Sequence, residues 1–175
     1  MTFYTKKGDD GSTGLYYGGR ERKDSSRVEA YGTVDEAQAF LGVPRAMLAG
    51  GRLADMLLGV QRDLYALMAE LATADENRHK LHVLVTAEMV EHIGALTDQL
   101  SAEFEMPSEF VLPGQDPVSA ALEVARTVVR RAERAAVAVA VEGSFVVPYL
   151  NRLSSLLWAM ARWQEGEALF AKERP

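Results

Sequence analysis

Helical periodicity is the feature of this chain that most restricts its fold. From Arg52 to about Thr73, Leu53, Leu57, Val60, Leu64, Leu67 and Leu71 recur at three- and four-residue intervals, which draws one apolar stripe along a helix. Four other segments carry the same pattern. Thr33-Val34-Asp35-Glu36 has the form of a capping box and predicts a first helix from there to about Met47, bent or interrupted at Pro44. Thr86 to about Phe104 reads as the third helix. Asp116-Pro117 supplies a cap and a first-turn proline for a fourth that ends by Gly143, and Pro148 opens a fifth that reaches roughly Ala171. No segment alternates convincingly with the period of a strand. The expected fold is all-α: a five-helix up-and-down bundle, one domain over residues 1–175, with an irregular glycine-rich arm at 1–30 and the bundle at 31–175.

Composition removes several classes of function. The chain has no cysteine, so disulfides, thiolate metal sites and a cysteine nucleophile are excluded together. Its net charge of -6 argues against general nucleic-acid binding and makes any phosphate site a local basic patch. No apolar run approaches the ~18 residues of a membrane span. The first residues, Met-Thr-Phe-Tyr-Thr-Lys-Lys, have no apolar signal segment, so a cytoplasmic protein without membrane partners is expected.

Two basic features stand out in this acidic chain. In the fourth helix Arg126, Arg130 and Arg134 lie four residues apart, forming a stripe of guanidinium groups flanked by Arg131 and Glu133. Such groups bind carboxylates or phosphates bidentately, or simply pair with carboxylates on a solvated face. In the arm, Gly8, Gly11, Gly14, Gly18 and Gly19 are spread among Asp9, Asp10, Ser12 and Thr13, with Lys6, Lys7, Arg20, Arg22 and Lys23 alongside. Glycines let amides turn toward a ligand, and lysines supply charge, so the segment suits phosphates; a flexible polar arm is the plainer reading. No Gly-Lys-Ser or Gly-Lys-Thr makes it a Walker loop. Glu76 and His79 give a single Glu-x-x-His, whereas a di-iron bundle needs two, so no side-chain metal site is expected and the histidines read as surface residues.

Taken in order, the motifs resemble one family. Tyr4-Thr5-Lys6-Lys7-Gly8-Asp9-Asp10-Gly11-Ser12-Thr13-Gly14-Leu15, then Lys23 through Glu36, Phe110-Val111-Leu112-Pro113-Gly114, Arg126 with Arg130-Arg131-Ala132-Glu133-Arg134, and Tyr149-Leu150-Asn151-Arg152-Leu153-Ser154 are similar to blocks of the trimeric, five-helix ATP:cob(I)alamin adenosyltransferases. The resemblance implies transfer of the 5′-deoxyadenosyl group of ATP to the cobalt of cob(I)alamin, with release of triphosphate. It implies a homotrimer with ATP at the subunit interfaces and Mg²⁺ beside it. A reductant for cob(II)alamin and an adenosylcobalamin-dependent enzyme would be its partners.

By position, Thr5, Lys6, Gly8, Thr13 and Lys23 would hold ATP from the arm, and Arg130, Glu133, Arg134 and Asn151 would complete its site. Asp35 would pair with Arg126 across the interface, and Phe110 would occupy the lower face of the corrinoid. Cob(I)alamin is itself the nucleophile in this chemistry, so no side chain has to attack or act as a strong base. Two departures accompany the match. Ser155 stands where an Asp is usual, and Ala37-Gln38 follows Asp35-Glu36 where Leu-Asn is common. The missing carboxylate leaves open a non-catalytic corrinoid- or ATP-binding escort on the same scaffold.

Overall fold

The computed structural model describes residues 4–172. Five long helices form the body: α1 (Ser26–Met47), α2 (Arg52–Leu71), α3 (Ala87–Ser101), α4 (Pro117–Val137) and α5 (Val146–Glu165). A six-residue 3-10 helix, Asp75–Lys80, lies between α2 and α3. The arm contains two short strands, β1 (Ser12–Gly14) and β2 (Arg20–Arg22), paired antiparallel with Thr13 opposite Glu21. Strands this short leave no alternation to read, which is why the sequence pattern misses them.

The helix boundaries follow local chemistry, and several correct the sequence expectation. Thr33 is not a cap. Ser25 caps α1 by accepting from the Val28 amide at 3.4 Å, while Thr33 lies buried in the second turn with its hydroxyl donating to Glu29 O at 2.7 Å. A Ser/Thr hydroxyl serves equally as a cap or as a back-bond to the preceding turn, so the capping-box motif was ambiguous. Asp35 therefore sits on the exposed flank of a helix already under way. Pro44 does not interrupt α1, which continues to Met47 and closes with Leu48 N donating to Pro44 O at 3.2 Å. Helix α4 stops at Val137 rather than at Gly143, and α5 begins at Val146 and stops at Gly166, whose φ of 72° favours glycine. The cap expected at Asp116 is present, accepting from the Ser119 amide, and Thr86 caps α3 by accepting from the Met89 amide.

Helix α4 packs on both α1 and α5; α1 also packs on α2, and α5 on α3. The order α2–α1–α4–α5–α3 places the arginine helix in the middle of the bundle. Its apolar face, Leu122, Ala125, Val129, Ala132 and Ala136, is fully buried. The small residues of that face let α4 approach its neighbours closely, and the fully buried Leu41 of α1 and Leu150, Leu153 and Leu157 of α5 belong to the same core. Burying each such leucine stabilises the fold by about 1.5–3 kcal/mol.

One buried carboxylate organises the loops at the far end of α2. Glu70 is 2% exposed and accepts from Arg78 (3.0 Å), the Val85 amide (3.1 Å) and the Ser144 hydroxyl (2.7 Å). It thus ties the connections 72–86 and 138–145 to the bundle. None of the helices among the described residues is long and apolar enough to cross a membrane.

Candidate functional site

The four arginines of α4 that follow Ala125 divide into two kinds. Arg126 Nε donates to Glu123 Oε2 at 2.7 Å, one turn earlier, and Arg131 pairs with Glu36 of α1. Arg130 and Arg134 are exposed and form no hydrogen bond or ion pair with any described residue. Guanidinium groups held on a rigid helix without a carboxylate partner are disposed to receive an anion.

Beside them, Asn151 on α5 donates through Nδ2 to Glu133 Oε1 at 2.9 Å, and Arg152 Nη1 donates to Asn151 Oδ1 at 3.3 Å. The packing of α5 on α4 brings Glu133 and Asn151 together. Ser155, one turn beyond Asn151, is exposed and makes no hydrogen bond among the described residues.

The arm has its own internal geometry. Lys6 adopts φ 59°, a left-handed conformation that costs a non-glycine residue free energy and recurs at ligand-binding loops. A Cβ at Gly8 would lie 3.1 Å from Lys23 Nζ and 3.1 Å from Ser12 O, so a side chain there would press on the loop and on the lysine. Lys23 N donates to Gly11 O at 2.9 Å, which fixes the lysine's backbone at the mouth of that loop. Arg20 is consumed internally, donating to Lys7 O at 2.6 Å and to the Ser12 hydroxyl, and Arg22 pairs with Asp24 at 2.7 Å. Hydrogen bonds from the Ser12 side chain and amide hold the Asp10 carboxyl below its usual range. Lys6 and Lys23 form no ion pair with any described residue, leaving them as the free cations of the arm's site residues. Thr5 and Thr13 complete the arm's hydroxyls, with Thr5 Oγ1 accepting from Lys7 N at 3.5 Å.

A third group lies where Phe110 meets α4. Phe110 is 74% exposed, yet its backbone is pinned: its carbonyl accepts from Ala171 N at 2.9 Å, and Leu112 N donates to Leu169 O at 2.7 Å. Beside it is a cavity of about 210 Å³ lined by Glu109, Phe110, Val111, Pro113, Glu123, Arg126 and Trp158. Arg126 and Phe110 thus share one recess. Asp35 is not part of it and stays exposed on α1, while the carboxylate on Arg126 is Glu123 of the same helix.

Sequence reasoning missed what holds Arg126. Glu123 also receives Arg162 at 3.3 Å; Arg162 is 3% exposed, pairs with Glu165 at 3.0 Å and lies over the Trp158 ring at 5.6 Å. Ser119 Oγ donates to Glu165 Oε2 at 2.6 Å. The Glu123/Arg126 pair was legible as an i,i+3 spacing. The part of Arg162 was not, because it reaches Glu123 from another helix.

Known proteins share this fold. A family model described as Cobalamin adenosyltransferase matches residues 3–164. The chain is 41% identical over 170 residues to a corrinoid adenosyltransferase of Bacillus subtilis, covering 93% of this chain and 86% of that protein. It is 36% identical over 171 residues to the corrinoid adenosyltransferase PduO of Salmonella typhimurium, covering 96% of this chain but only 51% of that longer protein. Among solved structures, a variant PduO-type ATP:corrinoid adenosyltransferase from Lactobacillus reuteri, complexed with cobalamin and ATP, superposes with a TM-score of 0.91 at 27% identity, covering 98% of this chain and all of that one.

Proposed function

The chain belongs to the cobalamin adenosyltransferase family, and on that premise we propose how its residues carry out ATP-dependent transfer of an adenosyl group to a corrinoid. The corrinoid's cobalt(I) attacks C5′ of ATP. Its electron pair forms the cobalt–carbon bond, and the electrons of the C5′–O5′ bond leave with triphosphate. The protein has to align cobalt, carbon and leaving oxygen, and to balance the charge that grows on the triphosphate.

The observation that carries the assignment is the division among the cations. Among the described cations of the arm and α4, Lys6, Lys7, Lys23, Arg130 and Arg134 are unpaired, whereas Arg20, Arg22, Arg126 and Arg131 are committed to carboxylates or carbonyls. Lys6, Lys23, Arg130 and Arg134 are the free cations assigned to the triphosphate, with Thr5, Gly8 and Thr13 offering donors from the arm and Glu133 with Asn151 orienting the nucleoside end. Among the described residues no ion pair joins Lys6 or Lys23 to α4. In this reading the site forms where the arm of one subunit meets α4 of the next, in a homotrimer.

Asp35, exposed on α1, would reach Arg126 of a neighbouring subunit, and Phe110 would cover the corrinoid's lower face. An apolar ring there excludes water and the lower ligand, which eases reduction of cobalt(II). Mg²⁺ is expected with ATP. No group of three or more His, Asp or Glu side chains among the described residues could hold an ion by itself, so the triphosphate oxygens would be its main ligands. The enzyme would work in the cytoplasm, fed by a cob(II)alamin reductant and supplying an adenosylcobalamin-dependent enzyme.

The deciding experiment is an anaerobic assay with ATP and chemically reduced cobalamin, following adenosylcobalamin by its spectrum and triphosphate release in parallel. Equimolar formation of the two supports the reading. ATP and corrinoid binding without turnover would make the chain an escort, a reading to which the exposed Ser155 lends its one specific observation.

A further inference from the structure

The last carbonyls of a helix have no partner within it, and at the end of α2 three consecutive ones are taken from outside. Arg27 Nη1 donates to Leu71 O at 3.1 Å and to Thr73 O at 2.8 Å. Between them, Ala72 O accepts from the amide of Tyr16 at 2.9 Å, and Tyr16 runs beside Thr73 as a parallel bridge. Arg27 Nη2 pairs with Asp75 at 2.8 Å, and the arginine side chain is only 18% exposed. Among the described residues, Tyr16 N to Ala72 O is the one backbone hydrogen bond from the hairpin of the arm to the helical body.

The rest of the docking is aromatic. The rings of Tyr16 and Tyr17 lie 4.3 Å apart, and Tyr17 meets His82 edge-on at 6.4 Å. Tyr17 holds φ 61°, a strained conformation that turns the chain from β1 back toward β2. The other backbone bonds of the hairpin, such as Lys23 N to Gly11 O and Leu15 N to Gly19 O, are internal to the arm. Beyond its covalent continuation into α1, the arm's backbone is thus docked on residues 71–73, and the guanidinium of Arg27 fixes the peptide planes on either side of the carbonyl that accepts from Tyr16.

We propose that Arg27 is a positioning residue for ATP: it holds the carbonyl strip of residues 71–73 on which the arm docks, and so sets where Gly8, Thr13 and Lys23 stand. This rests on the reading that the arm binds ATP. Arg27 itself is part of the α1 start and touches no residue assigned to either substrate.

Arg27→Met keeps the length of the side chain and removes its donors; Arg27→Lys keeps one. With the full-length protein, the Kd for ATP measured by calorimetry without corrinoid should rise about tenfold in Arg27→Met, equivalent to ~1.4 kcal/mol. The KM for cob(I)alamin should stay unchanged, and kcat at saturating ATP should fall by no more than about twofold, or ~0.4 kcal/mol. Arg27→Lys should be intermediate, about threefold weaker for ATP. If Arg27 served only to finish α2, its loss would lower the melting temperature and the active fraction with the ATP Kd unmoved, and that result would overturn the proposal. Should Arg27→Met fail to fold, wild-type ATP affinity in Arg27→Lys would overturn it equally. Lys23→Ala run alongside separates the two levels. If Lys23→Ala leaves ATP binding intact, the arm reading itself fails; if it weakens ATP and Arg27→Met does not, only the positioning role fails.

Discussion

Replacing Arg130 by alanine tests the site most directly, because its effects on stability and on catalysis should separate. Arg130 is exposed and has no partner among the described residues. Its loss breaks no native contact there, and a surface change of this kind shifts stability by no more than about 0.5 kcal/mol. The catalytic magnitude depends on how far water is excluded. A unit charge about 4 Å from the triphosphate is worth ~1 kcal/mol in bulk water and ~4 kcal/mol at the effective dielectric near ~20 that holds at protein sites. On the open face of a single chain Arg130→Ala would cost about fivefold in rate; in a site closed by a second subunit's arm it should cost about 10²–10³. The larger loss is expected. The assay is kcat for adenosylcobalamin formation at saturating ATP and reduced cobalamin, with thermal melting alongside. Arg131→Ala is the control, since that side chain is already occupied by Glu36 in a half-exposed pair worth about 0–1 kcal/mol. A loss of less than about tenfold in Arg130→Ala, with Arg131→Ala equal to it, would show that the guanidinium stripe is a solvated face and refute the assignment.

Three further outcomes are expected. A double-mutant cycle of Asp35→Asn with Arg126→Ala, read by corrinoid KM and trimer dissociation, should show coupling of at least about 1.5 kcal/mol; additive effects would dismiss the intersubunit pair. A charge swap is unsuited to this pair, because a carboxylate at 126 would face Glu123, now 2.7 Å from the Arg126 guanidinium. Phe110→Ala should leave ATP affinity intact and remove the four-coordinate cob(II)alamin signal expected of the wild type; identical five-coordinate spectra would reduce Phe110 to packing. Tyr149 is buried with its hydroxyl donating to Asp63 at 2.7 Å, and burial first, then the Asp63 charge, pushes the phenol well above its ordinary value. Because a raised folded pKa means that the unfolded chain ionises first, this stability is fully present below pH ~10 and falls as pH rises above it, by up to ~1.4 kcal/mol per pH unit. Denaturant melts from pH 8 to 11 should show the wild-type advantage over Tyr149→Phe shrinking above pH 10, and a constant difference would dismiss the linkage.

What the sequence by itself determined is whatever is written in a local period or an ordered motif. The leucine stripe of α2 starts and stops within two residues of its expected bounds, the Asp116 cap forms, and α3 opens at Thr86. The Arg126/Arg130/Arg134 stripe was readable because side chains four apart share a helix flank, and the family was readable because its blocks occur in order. The tertiary structure decided the rest. Ser25 and Thr33 are equally good caps in isolation, and α1 takes Ser25 because its first turn packs against the end of α2 through Arg27. Helix order could not be inferred from connections alone, yet it is the placement of α4 between α1 and α5 that brings Asn151 to Glu133. Which arginines remain free for a ligand depends on carboxylates supplied by other elements as much as by neighbours: Glu36 from α1 takes Arg131, and no described residue reaches Arg130. Charge along one helix is a property of sequence, but a free charge is a property of packing.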